Sequence, residues 1–254
     1  MFPYIYLVLP SYGVLAFIGA FCAVVFLFFR IDRYKIAFTE FLKLIVCCGI
    51  GCIIGSKLLF ALTRIPWLIK NFSVKNLFLL IPQSGLVFYG GLFGAIGAVM
   101  IMYDKDREKR DTILDMITPA LPLFHGFGRI GCFMAGCCYG EMLSGPIVIF
   151  GNTIDRMPIQ LIEALFEFIL FAVFLLIERK APSFVRLKNY LVIYAVFRFI
   201  IEFWRDDEMR GIWLGGLSTS QIVSLIIVIV YIIYTVKTIK KDPSPSSIGT
   251  MGQT

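Results

Sequence analysis

Near its middle the chain reads His125-Gly-Phe-Gly-Arg129-Ile-Gly-Cys132-Phe-Met-Ala-Gly136-Cys137-Cys138-Tyr139-Gly140. The stretch places one arginine among glycines and apolar residues, in a segment hydrophobic enough to lie in a bilayer. An arginine at that depth costs about 2.5–3.5 kcal/mol on insertion scales, so it indicates a functional site. Glycines on both sides let a backbone or a ligand approach closely. A fixed cation in this apolar setting is suited to the phosphate of a lipid.

The composition is that of a membrane protein. Hydrophobic residues make up 59% of the 254 residues and charged residues only 16%. A helix needs about 20 apolar residues to cross the hydrocarbon core. The sequence therefore predicts an all-α polytopic fold with about seven transmembrane helices. They lie near Tyr4–Phe29, Phe38–Leu62, Gly85–Tyr103, Ile113–Cys138, Gln160–Ile177, Tyr190–Trp204 and Leu214–Val236, with a possible half-crossing segment near Phe72–Ile81.

Basic residues divide unequally between the two ends of these segments, with fourteen at one end and six at the other. The fourteen are Arg30, Arg33, Lys35, Lys105, Arg107, Lys109, Arg110, Arg179, Lys180, Arg186, Lys188, Lys237, Lys240 and Lys241. The positive-inside rule predicts an external N-terminus and a cytoplasmic C-terminus. No basic region precedes the first apolar segment, so we expect no cleavable signal peptide. A basic belt facing anionic lipid also accounts for the net charge of +7, and no nucleic-acid partner is expected.

The chain is expected to form a single transmembrane domain over residues 1–241. Residues 242–254 are rich in Pro, Ser and Gly, which predicts a disordered cytoplasmic tail. The segment Glu141–Arg156 contains turn-forming residues among short apolar pieces and is interpreted as an extracytoplasmic loop over the site.

Seven cysteines are present, and their spacing is not that of a disulfide framework. Cys22, Cys47, Cys48 and Cys52 lie on apolar helices, where cysteine usually behaves as a small hydrophobe. Cys132, Cys137 and Cys138 match no zinc or thioredoxin-like pattern, and His125 is the only histidine. We therefore expect no metal and no cofactor. Plain packing and reactive thiols beside Arg129 remain open for these three residues.

A second group of charges lies in the sixth segment. Tyr194, Arg198 and Glu202 are spaced four residues apart and share one face of a helix. Arg198 and Glu202 could merely neutralise each other in the bilayer. In the functional interpretation, Arg198 is a second phosphate donor that Glu202 holds in place. Glu163, in the fifth segment, is a further intramembrane candidate.

These residues belong to a longer set of motifs in a fixed order. The set comprises Ser11-Tyr12-Gly13, Gly55-Ser56-Lys57-Leu58, Gly85-Leu86-Val87-Phe88-Tyr89-Gly90-Gly91-Leu92, the stretch Gly128–Gly140, Pro158-Ile159-Gln160-Leu161 with Glu163, Tyr194 with Arg198 and Glu202, and Leu217-Ser218-Thr219-Ser220-Gln221. In this order the chain resembles the prolipoprotein diacylglyceryl transferases over almost its whole length. Those are bacterial inner-membrane enzymes with seven transmembrane helices.

The resemblance implies transfer of the diacylglyceryl group of phosphatidylglycerol to the lipobox cysteine of a prolipoprotein. A thioether forms and glycerol phosphate leaves. Arg129 and Arg198 match the family's two essential arginines, which would stabilise the charge on the leaving phosphate. Tyr12, Tyr194 and Glu202 match positions that shape the pocket, and Gly140 and Glu163 complete the predicted lipid site. The resemblance also implies a multi-pass protein of the bacterial inner membrane, and we expect a monomer.

The chain departs from the family pattern at several polar positions. Tyr89 replaces a histidine that is a candidate base, and a phenol is a poorer base at neutral pH. Cys132 stands for asparagine, and Cys137 stands for glutamate. Ala135, Met157 and Lys57 replace a polar residue, a histidine and an arginine respectively. His125, one turn before Arg129, could act as the base or as a hydrogen-bond partner of the arginine.

Three functions remain open at this point. The first is a divergent diacylglyceryl transferase with a rearranged base. The second is a paralogue that binds phospholipid and modifies another acceptor, with Cys137 and Cys138 as nucleophile or redox pair. The third is a non-catalytic lipid-binding protein. The chain retains Arg129, Arg198 and Glu202 of the family pattern, which favours the first two functions over the third.

Overall fold

The computed structural model describes residues 4–5, 9–70, 87–149, 151–177, 185–206 and 216–241. Eight α-helices lie in these ranges, and a 3-10 turn at Glu202–Trp204 follows the seventh. The helices are α1 (Ser11–Phe28), α2 (Phe38–Lys70), α3 (Phe88–Met102), α4 (Arg107–Ile117), α5 (Ala120–Ala135), α6 (Ile159–Ile177), α7 (Val185–Ile201) and α8 (Thr219–Lys241).

Two antiparallel strand pairs accompany the helices, so the all-α prediction holds for the helical core alone. β1 (Tyr4–Ile5) pairs with β2 (Leu9–Pro10), and β3 (Met142–Ile149) pairs with β4 (Asn152–Arg156). The second pair occupies the segment predicted only as a loop. Gly151 precedes β4 with a φ of +73°, a backbone conformation that glycine adopts without strain.

Four described helices are long and apolar enough to cross a membrane: Ser11–Phe28, Phe38–Leu62, Ile159–Ile177 and Thr219–Lys237. Phe88–Met102 is a shorter apolar helix. Large apolar side chains face outward on these helices, and Ile101 and Leu176 are 79% and 80% exposed. Such an apolar exterior requires lipid around it, so the chain is a helical membrane protein.

The predicted segment Ile113–Cys138 is not one helix. It is divided between α4 and α5 at Thr118-Pro119, because proline has no N–H for the helical ladder and its ring opposes a continuous helix. Helix α2 continues past Leu62 to Lys70, and α7 begins at Val185, before the predicted Tyr190. The proposed half-crossing segment near Phe72–Ile81 and the tail 242–254 lie outside the described residues.

Helices α2 and α3 pack through facing glycines, Gly51 and Gly55 on α2 against Gly90 and Gly94 on α3. A Cβ added to Gly94 would lie 2.8 Å from the carbonyl carbon of Gly51, and one added to Gly55 would lie 2.8 Å from the Cα of Gly94. Each glycine pair is spaced i, i+4, the small-residue pattern that lets membrane helices approach closely. This contact positions the start of α3 beside the site described below.

Replacement of Gly94 by alanine is therefore expected to destabilise the protein by about 1–3 kcal/mol, the usual cost of overpacking. Gly97, on the same helix, has no atom within 4 Å of its would-be Cβ, so Gly97→Ala is the matched control. The unfolding midpoint in a denaturing-detergent titration measures both variants. Equal midpoints for the two would contradict the close packing of α2 and α3.

Polar contacts collect at each end of the helices. At one end, Glu40 accepts from the Tyr103 hydroxyl at 2.7 Å and pairs with Lys109 at 2.7 Å, while Asp115 pairs with Arg186 at 2.7 Å. At the other end, the N–H of Gly140 donates to the carbonyl of Met157, and Arg156 pairs with Asp206. Residues near one end of α2, α3, α4 and α7 thus lie together.

Candidate functional site

Arg129 lies in the interior on α5 and is only 8% exposed. Its Nε donates to Nε2 of His125 at 3.2 Å and lies 3.1 Å from Oε2 of Glu163. Among the described residues, both of these contacts are made by Nε. The two terminal nitrogens, which carry four N–H donors, are thereby left to face the cavity that Arg129 lines.

Glu163 joins the two predicted arginines. Its other oxygen, Oε1, accepts from NH1 of Arg198 at 2.9 Å, so one fully buried carboxylate on α6 pairs with guanidinium groups from α5 and α7. Arg198 also pairs with Glu202 at 2.6 Å and donates to the hydroxyl of Ser220 at 3.2 Å. The structure thus brings Arg129, Glu163, Arg198 and Glu202 into one ion-pair network.

Arg198, which was predicted as a second phosphate donor, is enclosed by other protein side chains. Both of its terminal nitrogens are engaged, by Glu163 and Glu202, and its side chain is 3% exposed. It is not among the residues that line the cavity. The ion pair with Glu202 that the sequence left open is therefore present, and of the two arginines Arg129 is the one that lines the cavity.

The hydrogen bonds of His125 determine its tautomer. An arginine only donates, so Nε2 of His125 accepts from Arg129. The proton is then on Nδ1, which lies 2.8 Å from Oε1 of Glu167 and donates to it. The imidazole stacks on Phe88 with a 3.5 Å separation of ring centroids. His125 is thus held on three sides, and its one lone pair is used by Arg129.

A cavity of about 420 Å³ lies between α1, α2, α3 and α5. Arg129, His125, Tyr12 and Ser56 line one end, and the rest of the wall is almost entirely apolar, extending to Leu27. Tyr12 and Leu27 are separated by fifteen residues of α1, which corresponds to about 22 Å along a helix. The cavity is therefore a long apolar cleft with a cationic end.

The three predicted tyrosines take different places. Tyr12 lines the cationic end of the cleft. Tyr194 is buried behind His125, with ring centroids 5.1 Å apart in an edge-on contact. Tyr89 is also buried, and its hydroxyl is 2.7 Å from that of Ser224. Neither Tyr89 nor Tyr194 lines the cavity, so the structure gives Tyr89 no position from which to act as the base.

The role of Gly140 lies in backbone packing and not in ligand contact. A Cβ at this position would lie 2.7 Å from the carbonyl oxygen of Trp204 and 2.7 Å from Ile159. Only a residue without a side chain allows the chain after α5 to pass between α6 and the end of α7. Gly140 is not among the residues that line the cavity.

The three cysteines of the glycine-rich stretch come together. The Sγ atoms of Cys132, Cys137 and Cys138 all lie within 4.8 Å of one another. Cys132 and Cys138 line the cationic end of the cavity, and Cys137 is exposed. All three are free thiols.

Glu167 is the main residue that the sequence analysis missed. It is fully buried on α6, accepts from His125 and receives a long hydrogen bond of 3.5 Å from the Tyr190 hydroxyl. Its spacing from Glu163 is the signal that could have found it, since carboxylates four residues apart on an apolar helix share one face. Gln160, on the same face, donates its amide to the carbonyl of Cys137.

The arrangement is suited to an amphiphilic anion. Four N–H donors of one fixed guanidinium face the end of an apolar cleft, and the positive charge is held by a shared carboxylate. A phosphate with hydrocarbon chains meets both parts at once. Donors fixed in advance in a water-poor cavity also stabilise charge that grows during a reaction.

Comparison with known proteins points the same way. A family model described as prolipoprotein diacylglyceryl transferase matches residues 2–237. The chain is similar to a phosphatidylglycerol–prolipoprotein diacylglyceryl transferase of Clostridium tetani, with 34% identity over 227 residues, 86% of this chain and 88% of the relative. It is similar to a second such protein from Clostridium perfringens at 29% identity, covering 86% of each chain. A relative of the same name from Campylobacter hominis is 31% identical over 79% of this chain and 76% of its own.

Proposed function

The chain belongs to the prolipoprotein diacylglyceryl transferase family, and on that premise we propose that it transfers the diacylglyceryl group of phosphatidylglycerol to the lipobox cysteine of prolipoproteins. The observation that carries the proposal is Arg129. This one arginine combines a buried position, a bridging carboxylate and free terminal nitrogens at the end of an apolar cleft.

Phosphatidylglycerol fits the cleft by its two chemical parts. The terminal nitrogens of Arg129 donate to the phosphate, and the acyl chains extend along the wall toward Leu27. Tyr12 and Ser56 are within the cationic end and face the glycerol. The cleft runs along α1, which is long and apolar enough to span the membrane, so its apolar wall lies at the depth of the acyl chains.

The reaction joins sulfur to carbon. The acceptor thiolate attacks the diacylglyceryl carbon bonded to the phosphate oxygen, a C–S bond forms, and the C–O bond breaks. The electron pair remains on the phosphate of the departing glycerol phosphate. Arg129 stabilises the charge that grows on that oxygen, and Glu163, Arg198 and Glu202 hold Arg129 in place.

We also propose that the protein crosses the bacterial inner membrane seven times, with the N-terminus outside and the C-terminus in the cytoplasm. The spans are α1, α2, α3, α5 with the end of α4, α6, α7 and α8. The contacts between Glu40 and Lys109 and between Asp115 and Arg186 support this orientation, because they place basic residues of α4 and α7 at the same end of the helices as the start of α2. A monomeric single domain over residues 1–241 completes the proposal.

The test is transfer by the purified protein. Phosphatidylglycerol and a lipobox peptide are supplied in detergent, and mass spectrometry of the peptide detects the added diacylglyceryl group. A peptide with serine in place of the lipobox cysteine is the control. Absence of product from the wild-type protein would contradict the function, and lipid binding without product would favour a non-catalytic lipid-binding protein.

His125 is proposed to position Arg129 rather than to remove the thiol proton. Its Nε2 is engaged by Arg129, so it has no free lone pair for a substrate. We expect His125→Ala to lower kcat about 10–100-fold, since a hydrogen bond to a charged group contributes about 1.5–3 kcal/mol. The shape of the pH profile should be that of the wild type.

His125→Gln should recover part of the lost rate, because the glutamine oxygen can replace Nε2 as acceptor for Arg129. Loss of the acid limb of the pH profile in His125→Ala would instead identify the imidazole as the base.

A further inference from the structure

The three thiols beside the site are brought together by a reversal of the backbone. Helix α5 ends at Ala135, and Gly136 follows with a φ of +73°. The N–H of Cys137 donates back to the carbonyl of Cys132 at 3.1 Å. The backbone of Cys138 is also in the left-handed conformation, with a φ of +61°. Few residues other than glycine adopt this conformation. This folding places three Sγ atoms, from positions that match no spacing motif, within 4.8 Å of one another.

The cluster of Cys132, Cys137 and Cys138 borders both the cleft and the outside. Cys132 and Cys138 line the same cavity end as Arg129, whereas Cys137 is exposed. Arg129 is one turn before Cys132 on α5, so its positive charge is close to the sulfur atoms. An ion or a thiol can reach this cluster from the exposed side and meet a lipid in the cleft.

Three thiolates in this arrangement fit a soft metal ion. A tetrahedral zinc with Zn–S bonds of about 2.3 Å places its sulfur atoms roughly 3.8 Å apart, a spacing that the 4.8 Å cluster reaches with small side-chain rotations. No fourth histidine, cysteine, aspartate or glutamate joins this group within the described residues. Three protein ligands with an open fourth position are the pattern of a catalytic zinc, not of a closed structural one.

Among the described residues that line the cleft there is no carboxylate and no imidazole with a free lone pair to act as base for the acceptor thiol. Among the described residues that line it, His125 is the one imidazole, and its lone pair is engaged by Arg129. The Tyr89 hydroxyl is bound to Ser224 and lies off the cavity wall. A thiol that binds a metal ion needs no separate protein base, because coordination to the metal removes its proton.

We propose that Cys132, Cys137 and Cys138 form a three-thiolate site for Zn²⁺, and that the lipobox thiol of the acceptor binds the open fourth position. This inference rests on the proposed transfer function. The site carries a net charge of −1 before the acceptor binds, and the adjacent Arg129 partly compensates it.

The transfer step then balances without a redox partner. The acceptor S–H proton passes to water when the sulfur binds zinc. A lone pair of that sulfur forms the C–S bond, and the C–O bond to phosphate breaks with its electrons on the leaving oxygen. The product is a neutral thioether, which binds zinc more weakly than a thiolate does, so it leaves the metal.

Cobalt substitution tests the metal site without reference to activity. The full-length protein in detergent, purified under reducing conditions and loaded with Co²⁺, should bind one ion per chain and develop the thiolate-to-cobalt charge-transfer band of a tetrahedral site. Cys132→Ser and Cys138→Ser should each lower the affinity at least tenfold. Cys22→Ser and Cys47→Ser, which change cysteines off the cavity wall, should leave it unchanged.

A second measurement avoids the question of variant folding. In the wild-type protein, Zn²⁺ should protect Cys132, Cys137 and Cys138 from alkylation while Cys22 keeps its reactivity, as read by peptide mass spectrometry. Protection of none of the three, a disulfide among them in place of the metal, or cobalt binding that survives in the triple serine variant would each overturn the site.

The acceptor part is tested with the lipobox peptide. Its addition to the cobalt protein should intensify the charge-transfer band, and the serine peptide should not. An unchanged spectrum overturns the fourth-ligand proposal. Full transfer by a chelator-treated, metal-free protein overturns the inference while the proposed function stands. A cobalt site in a protein that transfers to no lipobox peptide counts against the function alone.

Discussion

Replacement of Arg129 by alanine is expected to lower diacylglyceryl transfer by about 10²–10³-fold, the usual effect of removing one preorganised donor from a developing oxyanion. Arg129 is the arginine whose terminal nitrogens face the cleft, so no other described guanidinium takes its place. The rate of thioether formation with phosphatidylglycerol and a lipobox peptide measures the effect. The loss should be seen in kcat as well as in KM, because the donor acts on charge that grows in the transition state.

Arg129→Lys separates charge from geometry. Lysine keeps a cation but has neither the planar fork nor a nitrogen placed to contact His125 and Glu163 together, so we expect most of the loss to persist. Arg110→Ala is the matched control, because among the described residues the side chain of Arg110 pairs only with its neighbour Asp111, and Arg110 is not part of the cleft wall. Transfer by Arg129→Ala at the wild-type rate would contradict the role of this residue in leaving-group stabilisation.

Much of this site could be predicted because the bilayer leaves few choices for a charge. An arginine, a glutamate or an ion pair on an apolar helix must find a partner inside, so Arg129, Glu163, Arg198 and Glu202 were expected to be functional. Their meeting in one network agrees with that expectation. Hydropathy likewise located the helices, since a span requires a continuous apolar stretch.

The sequence pattern could not assign each charge to a ligand or to another side chain. Arg198 and Arg129 look equivalent along the chain, and only the helix rotations place one against two carboxylates and the other beside a cleft. Tyr89 takes the place of a candidate base in the motif, yet its hydroxyl contacts Ser224, on a helix that is far from it in the sequence. Helix periodicity predicts which residues share one face of a helix, but it does not predict which other helix packs against that face.

Cys132, Cys137 and Cys138 were candidates for reactive thiols, but the close approach of their three sulfur atoms could not be predicted. Metal motifs are recognised by spacing along regular elements, whereas these sulfur atoms meet through two left-handed residues, Gly136 and Cys138. The same limit applies to the β3–β4 pair, whose register shifts between Met142 and Ile147. Local reversals of the backbone are only weakly indicated by the amino-acid composition.

Glu163→Gln should destabilise the protein by about 3–5 kcal/mol, the cost of removing one partner of a buried ion pair. The carboxylate is fully buried and contacts both Arg129 and Arg198, so the neutral amide leaves these two buried guanidinium groups with less compensation. Transfer should fall with stability, because Arg129 loses the group that orients it. The unfolding midpoint in a denaturing-detergent titration and the transfer rate are measured together.

Two comparisons separate this effect from a general one. Glu141→Gln removes an exposed carboxylate whose contacts with described residues are made by its backbone, and it should leave both readouts unchanged. Glu202→Gln leaves both Arg198 and Arg205 with less compensation, but it should lower transfer less than Glu163→Gln does, since Arg198 keeps Glu163 and Arg129 keeps its orientation. If Glu202→Gln proved the more damaging to transfer, Arg198 rather than Arg129 would be the arginine that meets the phosphate. If Glu163→Gln kept wild-type stability and rate, the shared carboxylate would have no part in holding the site.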